Sequence, residues 1–306
     1  MLISIVVPCF NEEESIRYFY DEIMLYLPKL KIDYEICFVD DGSSDGTIRE
    51  FNKIKDIDSN VKMVSLSKNF GKEAAIFAGM NFVKGDFVGI MDVDLQDPPA
   101  LLVDMFEILV SSDFDNVATY RVDRKGEPMI RSLFARAFYR LINGLVDIEI
   151  VDGARDYRLM KRVMVDAILS LREYHRFSKG IFAWVGFNTK YIEFENVNRV
   201  AGESKWSFCK LFKYAIEGIV AFSTLPLRFT TLLGVIVSLL GFVYMLFIII
   251  KAVVFGDPVA GFPSLIVIIS ILGGIQLLFL GIIGEYLSKI YIESKKRPIY
   301  IVKDIL

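Results

Sequence analysis

The sequence predicts an α/β domain built on a mostly parallel sheet, followed by two C-terminal transmembrane helices. The first observation is that short apolar runs alternate with amphipathic segments between Leu2 and Tyr120, which is typical of parallel strands joined by helices. The second is a pair of long segments without charge near the C-terminus. The third is that acidic, turn-forming residues follow several apolar runs, as expected where parallel strands end at one edge of a sheet.

The individual elements follow from this alternation. The apolar runs predict strands at Leu2–Pro8, Tyr34–Asp40, Val61–Ser67, Phe87–Asp92 and Val117–Tyr120. The segments between them predict helices near Glu12–Leu27, Thr47–Lys55, Lys72–Val83 and Ala100–Ser111. The pair Asn11 and Glu14 predicts a capping box at the first helix. Two later amphipathic segments, Arg131–Val146 and Lys205–Phe222, suit either core packing or the membrane surface.

Two apolar segments predict the membrane spans. Phe229–Ile250 and Pro258–Gly284 contain no charged residue, and each exceeds the roughly 20 residues needed to cross a bilayer. Two buried core helices are the alternative. Small residues are expected to let the helices approach closely; they are Gly234, Ser238, Gly241, Gly273, Gly274, Gly281 and Gly284.

Charge around the spans predicts their orientation. Basic residues precede the first span and follow the second, whereas the connecting loop holds only Lys251 and Asp257. The positive-inside rule then places both termini in the cytoplasm of a multi-pass plasma-membrane protein. The N-terminus lacks the basic region of a signal peptide. We therefore expect a cytoplasmic domain at 1–228, two transmembrane helices at 229–290 and a cytoplasmic tail at 291–306.

Composition argues against several other classes of function. The net charge of −3 gives no indication of a nucleic-acid partner. The three cysteines, Cys9, Cys37 and Cys209, are widely spaced and suggest neither a disulfide framework nor a zinc site. The single histidine, His175, leaves little basis for a histidine triad.

The run Asp92-Val93-Asp94-Leu95-Gln96-Asp97-Pro98-Pro99 follows the fourth predicted strand. Side chains on a strand alternate between faces, so Asp92, Asp94 and Gln96 are expected to point the same way. Two carboxylates and an amide oxygen form a hard-oxygen site that suits Mg²⁺ or Mn²⁺. A solvated acidic turn is the alternative for an isolated Asp-x-Asp.

Two other strand ends carry similar residues. The first strand ends in Pro8-Cys9-Phe10-Asn11-Glu12, and the second in Asp40-Asp41-Gly42-Ser43-Ser44. Both are strand-to-helix turns, so we expect them side by side, where carboxylates can accept hydrogen bonds from a base or a ribose and Phe10 can cover the base. A simple turn and helix cap is the alternative. The chain has no glycine-rich phosphate loop, so metal and side chains would hold any phosphates.

The chain resembles the polyprenyl-phosphate branch of the family 2 glycosyltransferases, relatives of dolichol-phosphate mannose synthase and of the bactoprenol glucosyltransferases. Its Asp-Val-Asp-Leu-Gln-Asp-Pro-Pro run is similar to the metal-binding motif of that family, and the resemblance covers nearly the whole chain. It implies a GT-A fold, a UDP-sugar donor and Mg²⁺ or Mn²⁺ as cofactor. The residues it implies for nucleotide-sugar binding are Pro8, Phe10, Asn11, Glu12, Asp40, Asp41, Asn69, Lys72 and Asp92.

Basic segments resemble the acceptor-binding parts of the same family. Tyr120–Glu127 is similar to its acceptor loop, and Arg199–Trp206 to its Arg-x-x-Gly-x-Ser-Lys-aromatic run. Guanidinium groups match phosphate oxygens in shape. The residues implied for binding a lipid phosphate are Arg121, Arg124, Arg131, Arg199, Ser204 and Lys205. A solvated basic loop is the alternative for the first segment.

The segment Asp152–Met160 resembles the family's Asp-x-Gly-Asp-Phe-Arg-Leu-Met motif, but Arg155 stands where Gly is usual and Tyr157 where Phe is usual. Together with Asp94 of the Asp-Val-Asp run, this segment supplies the candidate catalytic residues, which are Asp94, Asp152 and Asp156. A lipid phosphate with a second pKa of about 6 is largely ionised near neutrality, so a strong base is not required. Asp152 and Asp156 then either act as a base or orient the acceptor, the metal or the arginines.

The resemblance implies inverting transfer of one sugar, glucose or N-acetylglucosamine, from UDP to undecaprenyl phosphate at the cytoplasmic membrane face. One alternative is a membrane-anchored nucleotide-sugar-binding scaffold without turnover. Another is a processive polysaccharide synthase, although neither glutamine, Gln96 or Gln276, begins a Gln-x-x-Arg-Trp motif. Expected partners are a flippase, a downstream glycosyltransferase and a second copy of the chain, to which Arg297–Val302 could add a strand.

Overall fold

The computed structural model describes residues 1–121, 151, 153–194, 223–255 and 261–306. The chain divides into two compact units, Met1–Gly218 together with Arg297–Leu306, and Ile219–Lys296. The amphipathic segments Arg131–Val146 and Lys205–Phe222 lie outside the described residues, so their packing stays a prediction.

Eight strands among the described residues of the first unit form one sheet. They are β1 (Leu2–Cys9), β2 (Asp33–Asp40), β3 (Val61–Leu66), β4 (Phe87–Ile90), β5 (Asn116–Arg121), β6 (Ala154–Lys161), β7 (Thr189–Phe194) and β8 (Val302–Ile305). Their order is β7-β5-β6-β4-β1-β2-β3-β8. Strands β3, β2, β1 and β4 are parallel, as predicted, whereas β6 and β8 run antiparallel to β4 and β3. The nearly continuous burial of β1 is typical of a parallel strand covered on both faces.

Helices cover both faces of the sheet. They are α1 (Ile16–Ile23), α2 (Thr47–Lys55), α3 (Lys72–Phe82), α4 (Leu101–Ser111), α5 (Arg162–Ser170) and α6 (Ser178–Trp184). On one face, Phe38 of β2 meets Phe19 of α1 and Phe51 of α2 edge to face, with ring centroids 5.9 and 6.1 Å apart. On the other face, α3 approaches β1 closely, because a Cβ on Gly79 would collide with Val6. Helix α3 begins at Lys72, shortly after β3 ends at Leu66, so its start lies at the carboxyl edge of the sheet.

The predicted strands and helices of this region are confirmed, with shifts at their ends. Helix α1 shows the largest shift, since it begins at Ile16. The predicted capping box is wrong: Asn11 has a positive φ of 55°, and its side chain accepts a hydrogen bond from the backbone N–H of Ser44. The turn after β1 is tied to the turn after β2 instead of to its own helix.

The C-terminal residues complete the sheet of the first unit. Strand β8 pairs antiparallel with β3, with Val64 opposite Ile305. The backbone N–H of Ser67 also donates to the carbonyl of Ile301 at 2.9 Å. The C-terminal strand thus pairs within the chain, at one edge of the sheet, and the addition of a strand to a second copy by Arg297–Val302 stays a prediction.

The second unit contains two long helices, α7 (Leu225–Phe255) and α8 (Phe262–Ser294). Within them, Leu225–Tyr244 and Ile271–Ser294 are long and apolar enough to cross a membrane, and almost none of their residues are buried. Plain core helices would be buried, so the exposure favours the membrane interpretation. The expected close approach at small residues holds only near Gly234, whose Cβ position lies 3.8 Å from Phe279. At the other glycines of these two helices, a Cβ would meet no atom of the described residues within 4 Å; they are Gly241, Gly273, Gly274, Gly281 and Gly284.

Candidate active site

The ends of β1 and β2 lie side by side, as predicted. The backbone N–H of Asn11 donates to Ser43 Oγ at 2.9 Å, and that of Glu12 donates to Thr47 Oγ1 at 2.9 Å. Phe10, at the same edge, is 39% exposed although its ring is large and apolar. The two turns therefore brace each other and leave an aromatic ring available to a planar ligand.

Two neighbouring carboxylates at the end of β2 organise the adjacent loops. Asp40 is buried and accepts hydrogen bonds from the backbone N–H of Ser43 and from Ser65 Oγ, both at 2.9 Å. Asp41 is also buried and accepts from the backbone N–H groups of Phe70 and Gly71 at 2.7 and 2.9 Å. Burial raises the pKa of Asp41, and the two backbone donors oppose that rise.

This arrangement gives Asp41 a role that its sequence motif did not reveal. It fixes the loop after β3, which contains the exposed Asn69 and leads through Gly71, at φ 98°, into Lys72. The positive φ is one that glycine adopts without strain. Pro8, another predicted nucleotide residue, is a partly buried ladder residue of β1 paired with Val39.

Lys72 joins two of the predicted acidic residues. Its Nζ lies 2.7 Å from Asp92 Oδ1 and 2.6 Å from Asp156 Oδ2. Asp92 follows β4 and Asp156 lies on β6, so one ammonium group from α3 connects two strands. The sequence named these three residues separately, and the fold brings them into a single cluster.

The charged neighbours of Asp156 indicate whether this residue can act as a catalytic base. Burial alone would lower the pKa of Lys72, but Asp156 and Asp92 raise it overall. Burial alone would raise the pKa of Asp156, but Lys72 and Lys179 hold it well below the usual range. Asp156 therefore stays ionised and binds a proton only weakly, which makes it a poor general base at neutral pH.

The acidic segment, Asp92–Asp97, lies beyond the end of β4 rather than on it. The strand ends at Ile90, and Leu95 has a positive φ of 55°. The expected alternation of Asp92, Asp94 and Gln96 on one strand face is therefore wrong, because a turn has replaced the extended backbone. Gln96 is engaged elsewhere, since its Oε1 accepts from Arg155 Nη2 at 3.4 Å.

The donor set at the strand end fits a metal that is bound together with a diphosphate. Among the described residues, no three His, Cys, Asp or Glu side chains form a preformed cage. Asp92, which pairs with Lys72, and Asp94 are the carboxylates that follow the end of β4 most closely. Mg²⁺ is commonly held by one or two carboxylates plus substrate phosphates, which is what this pair could provide. Of the predicted ligand set, Gln96 has the weakest case.

Other residues of the cluster were missed by the sequence reasoning. Glu73, next to Lys72, accepts hydrogen bonds from the backbone N–H and the hydroxyl of Ser178 at the start of α6. Burial, followed by the nearby Asp156, raises the pKa of Glu73 to about 7. Arg158 is almost fully buried, with its guanidinium 3.5 Å from the ring centroid of Phe182. Glu73 could have been noticed as an acid adjacent to a named lysine, but its partner lies 105 residues away.

Most of the predicted acceptor-binding residues fall outside the described part of the chain. These are Arg124, Arg131, Arg199, Ser204 and Lys205, together with the candidate catalytic residue Asp152. The backbone of Arg121 ends β5, but its side chain is not described. The acceptor half of the site therefore stays a prediction.

Comparison with known proteins finds relatives that span the whole chain. The family model described as Glycosyl transferase family 2 matches residues 4–169. A bactoprenol glucosyl transferase of Shigella phage SfV is 43% identical over 304 residues, which cover 99% of this chain and 99% of that protein. An uncharacterized glycosyltransferase of Synechocystis is 42% identical over 303 residues, which cover 99% of this chain and 95% of that protein.

A solved structure supports the fold. The mannosyltransferase of Pyrobaculum calidifontis, determined in complex with GDP-Man and Mn²⁺, superposes with a TM-score of 0.50 at 18% identity. The alignment covers 71% of this chain and 61% of that one. At this identity the likeness extends to the fold of the α/β unit and no further.

Proposed function

This chain belongs to glycosyl transferase family 2, and from that premise we propose that it transfers one sugar from a UDP-sugar to a polyprenyl phosphate at a membrane surface. The chain is a glycosyltransferase with a GT-A fold. Glucose is the proposed sugar, with N-acetylglucosamine as the alternative, and undecaprenyl phosphate is the proposed acceptor.

The observation that carries this proposal is the full-length match to a bactoprenol glucosyl transferase. That alignment includes 99% of both chains, and hence the two apolar helices as well as the α/β unit. Bactoprenol is a polyprenyl lipid, which stays in a bilayer. A lipid acceptor would explain why two membrane-length helices accompany the transferase.

The described residues suit the donor half of this reaction. We assign Phe10 and the braced turns after β1 and β2 to the uridine, where the exposed ring can cover the base. Asp41 holds the loop that carries Asn69 and Lys72 towards the same edge. A divalent metal bound by Asp92 and Asp94 would neutralise the diphosphate and the charge that develops on the leaving UDP.

The proposed chemistry is a single displacement with inversion. An ionised oxygen of the lipid phosphate attacks the anomeric carbon while the bond from that carbon to the UDP oxygen breaks, and the electron pair leaves with UDP. A lipid phosphate with a second pKa of about 6 is largely ionised at neutral pH, so no proton need be removed. This agrees with the low pKa of Asp156, whose role would be to hold Lys72 in place.

The acceptor half of the proposal depends on basic residues outside the described ranges. Arg121, Arg124, Arg131, Arg199, Ser204 and Lys205 are proposed to bind the lipid phosphate. The charge pattern around the spans supports a cytoplasmic active site with both termini on that side. This orientation gives the enzyme access to cytoplasmic UDP-sugar.

The proposal is tested by incubating the full chain, purified in detergent, with undecaprenyl phosphate, Mg²⁺ or Mn²⁺, and separate UDP-sugars. A glycolipid detected by mass with one donor, and lost on chelation, is the expected result. Asp94→Ala should remove most of the product, because one of the two strand-end carboxylates is gone.

Asp21→Ala is the matched control for the Asp94 variant. Asp21 forms an exposed ion pair with Arg17 within α1, so its loss should leave product formation unchanged. If the folded wild-type chain forms no glycolipid from any donor, the proposed acceptor or reaction is wrong. Equal activity of Asp94→Ala and Asp21→Ala would refute the assigned metal site.

A further inference from the structure

We propose that Arg155 is a positioning residue that fixes the acidic segment and thereby sets how tightly the site binds a divalent cation together with UDP. This inference rests on the proposed function, because it concerns the donor site of that reaction. In the sequence, Arg155 stands out only as a departure from the motif that this segment resembles, in which Gly is usual at this position.

The topology of the sheet places Arg155 opposite the acidic segment. It is the second residue of β6, which runs antiparallel to β4 with Arg158 opposite Ile90. Because the two strands run in opposite directions and β4 ends at Ile90, Arg155 lies beside the residues that follow that strand. Strand β6 thus carries a long cationic side chain to the turn that contains Asp92 and Asp94.

The guanidinium of Arg155 contacts two consecutive residues of this turn. Its Nε lies 2.9 Å from Asp97 Oδ1, and its Nη2 donates to Gln96 Oε1 at 3.4 Å. Asp97 is only 1% exposed, and its second carboxylate oxygen has no hydrogen-bond partner within the described ranges. A buried carboxylate requires a compensating charge, so the position of Asp97 depends on Arg155.

Backbone strain at Leu95 makes the contact with Arg155 important for the neighbouring metal-binding carboxylates. Leu95 has a φ of 55°, a left-handed conformation that residues other than Gly, Asn and Asp rarely adopt. Such a conformation persists only where the surroundings hold it in place. Leu95 packs against the core, and the two residues after it are held by Arg155. Asp94 directly precedes Leu95, and its Oδ1 accepts from the Gln96 N–H, so release of Gln96 would also release Asp94.

A glycine at position 155, as in the usual motif, could not make these contacts. A chain with that glycine would therefore lack the clamp between β6 and the acidic segment. The function of the clamp would be to hold the metal-binding carboxylates in their productive arrangement before UDP arrives, which lowers the cost of ordering them on binding.

The test measures metal binding directly and does not depend on turnover. The full chain in detergent is titrated with Mn²⁺ at a fixed concentration of UDP, and free Mn²⁺ is followed by electron paramagnetic resonance. Arg155→Ala should weaken Mn²⁺ binding by about 10- to 100-fold, the usual effect of losing a residue that orients a metal ligand. Arg155→Lys should recover part of this loss, because an ammonium keeps the charge but lacks the planar fork.

A matched control separates positioning from general destabilisation. Lys62 and Glu35 form another ion pair with limited exposure, 2.7 Å apart, near the opposite end of the parallel strands. Lys62→Ala should lower the unfolding temperature but leave the Mn²⁺ titration unchanged. A folded Arg155→Ala protein that titrates like Lys62→Ala would overturn the proposal.

A second variant is needed if Arg155→Ala does not fold. The double variant Arg155→Ala with Asp97→Asn removes both the contact and the uncompensated charge, and it carries the same test. Weaker Mn²⁺ binding in that variant supports the proposal, and a wild-type titration overturns it. Failure of the proposed function has a different signature, namely normal Mn²⁺ and UDP binding by the wild-type chain without glycolipid formation.

Discussion

Glu73 should make the stability of the protein depend on pH between about pH 5 and pH 8. Burial and the neighbouring Asp156 raise the pKa of this carboxyl group from 4.5 to about 7 in the folded chain. A group with a higher pKa in the folded state binds its proton more tightly there. Its stabilising contribution is therefore complete below about pH 4.5 and is lost as the pH rises through 7.

The size of the effect follows from the same shift. At about 1.4 kcal/mol for each tenfold change in proton affinity, the rise from 4.5 to about 7 corresponds to about 3 kcal/mol. Glu73 is only partly buried and keeps its two hydrogen bonds from Ser178 when ionised, so we expect about 1–3 kcal/mol. Glu73→Gln cannot ionise and should lack this pH-dependent loss.

The assay is thermal unfolding of the full chain and of Glu73→Gln in detergent from pH 5 to pH 8. As the pH rises from 5 to 8, the melting temperature of Glu73→Gln should increase by several degrees relative to that of the wild type, at about 2–4 °C per kcal/mol. Glu50→Gln is the control, because Lys53 lowers the pKa of Glu50 and moves its titration below this range. Parallel curves for Glu73→Gln and wild type across this pH range would refute the reasoning.

Two other substitutions test the packing and the donor site. Gly79→Ala should lower the free energy of unfolding by about 1–2 kcal/mol, because its Cβ would collide with Val6. Gly281→Ala is the control, since a Cβ there meets no atom of the described residues within 4 Å. Equal melting temperatures of the two variants would contradict the packing argument. Asp41→Ala should leave the N–H groups of Phe70 and Gly71 without their acceptor and weaken UDP binding about tenfold or more, as measured by calorimetry. Unchanged UDP affinity in a folded Asp41→Ala protein would remove the loop after β3 from the donor site.

Local sequence patterns were sufficient to predict most of the α/β unit. The apolar run at β1 indicates a strand buried on both faces, and the amphipathic pattern of α2 indicates which of its faces is buried; both signals are contained in neighbouring residues. The same reasoning located the strand-end motifs at Asp40 and Asp92, because parallel strands end at one edge. The resemblance to the family 2 glycosyltransferases, which these motifs carry together with others along the chain, is confirmed by the family match.

Local patterns failed where a residue's partner is distant in the chain. The strand assignment of Asp92–Gln96 was wrong because the turn at Leu95 depends on packing against the core and on Arg155 from β6. The pairing of the C-terminal strand β8 with β3 was not predicted, since nothing in the residues of β8 identifies β3 as its partner.

The sequence by itself determined the class of the fold, the two apolar helices and the types of residue at the proposed donor site, because periodicity, composition and short motifs depend on neighbouring residues. Only the tertiary structure decided how those residues are combined. It placed one ammonium group, Lys72, between Asp92 and Asp156, and one guanidinium, Arg155, against the buried Asp97. Charge and burial at such contacts arise from groups that are far apart in the chain, and they set the pKa of Asp156 and hold the acidic segment in place.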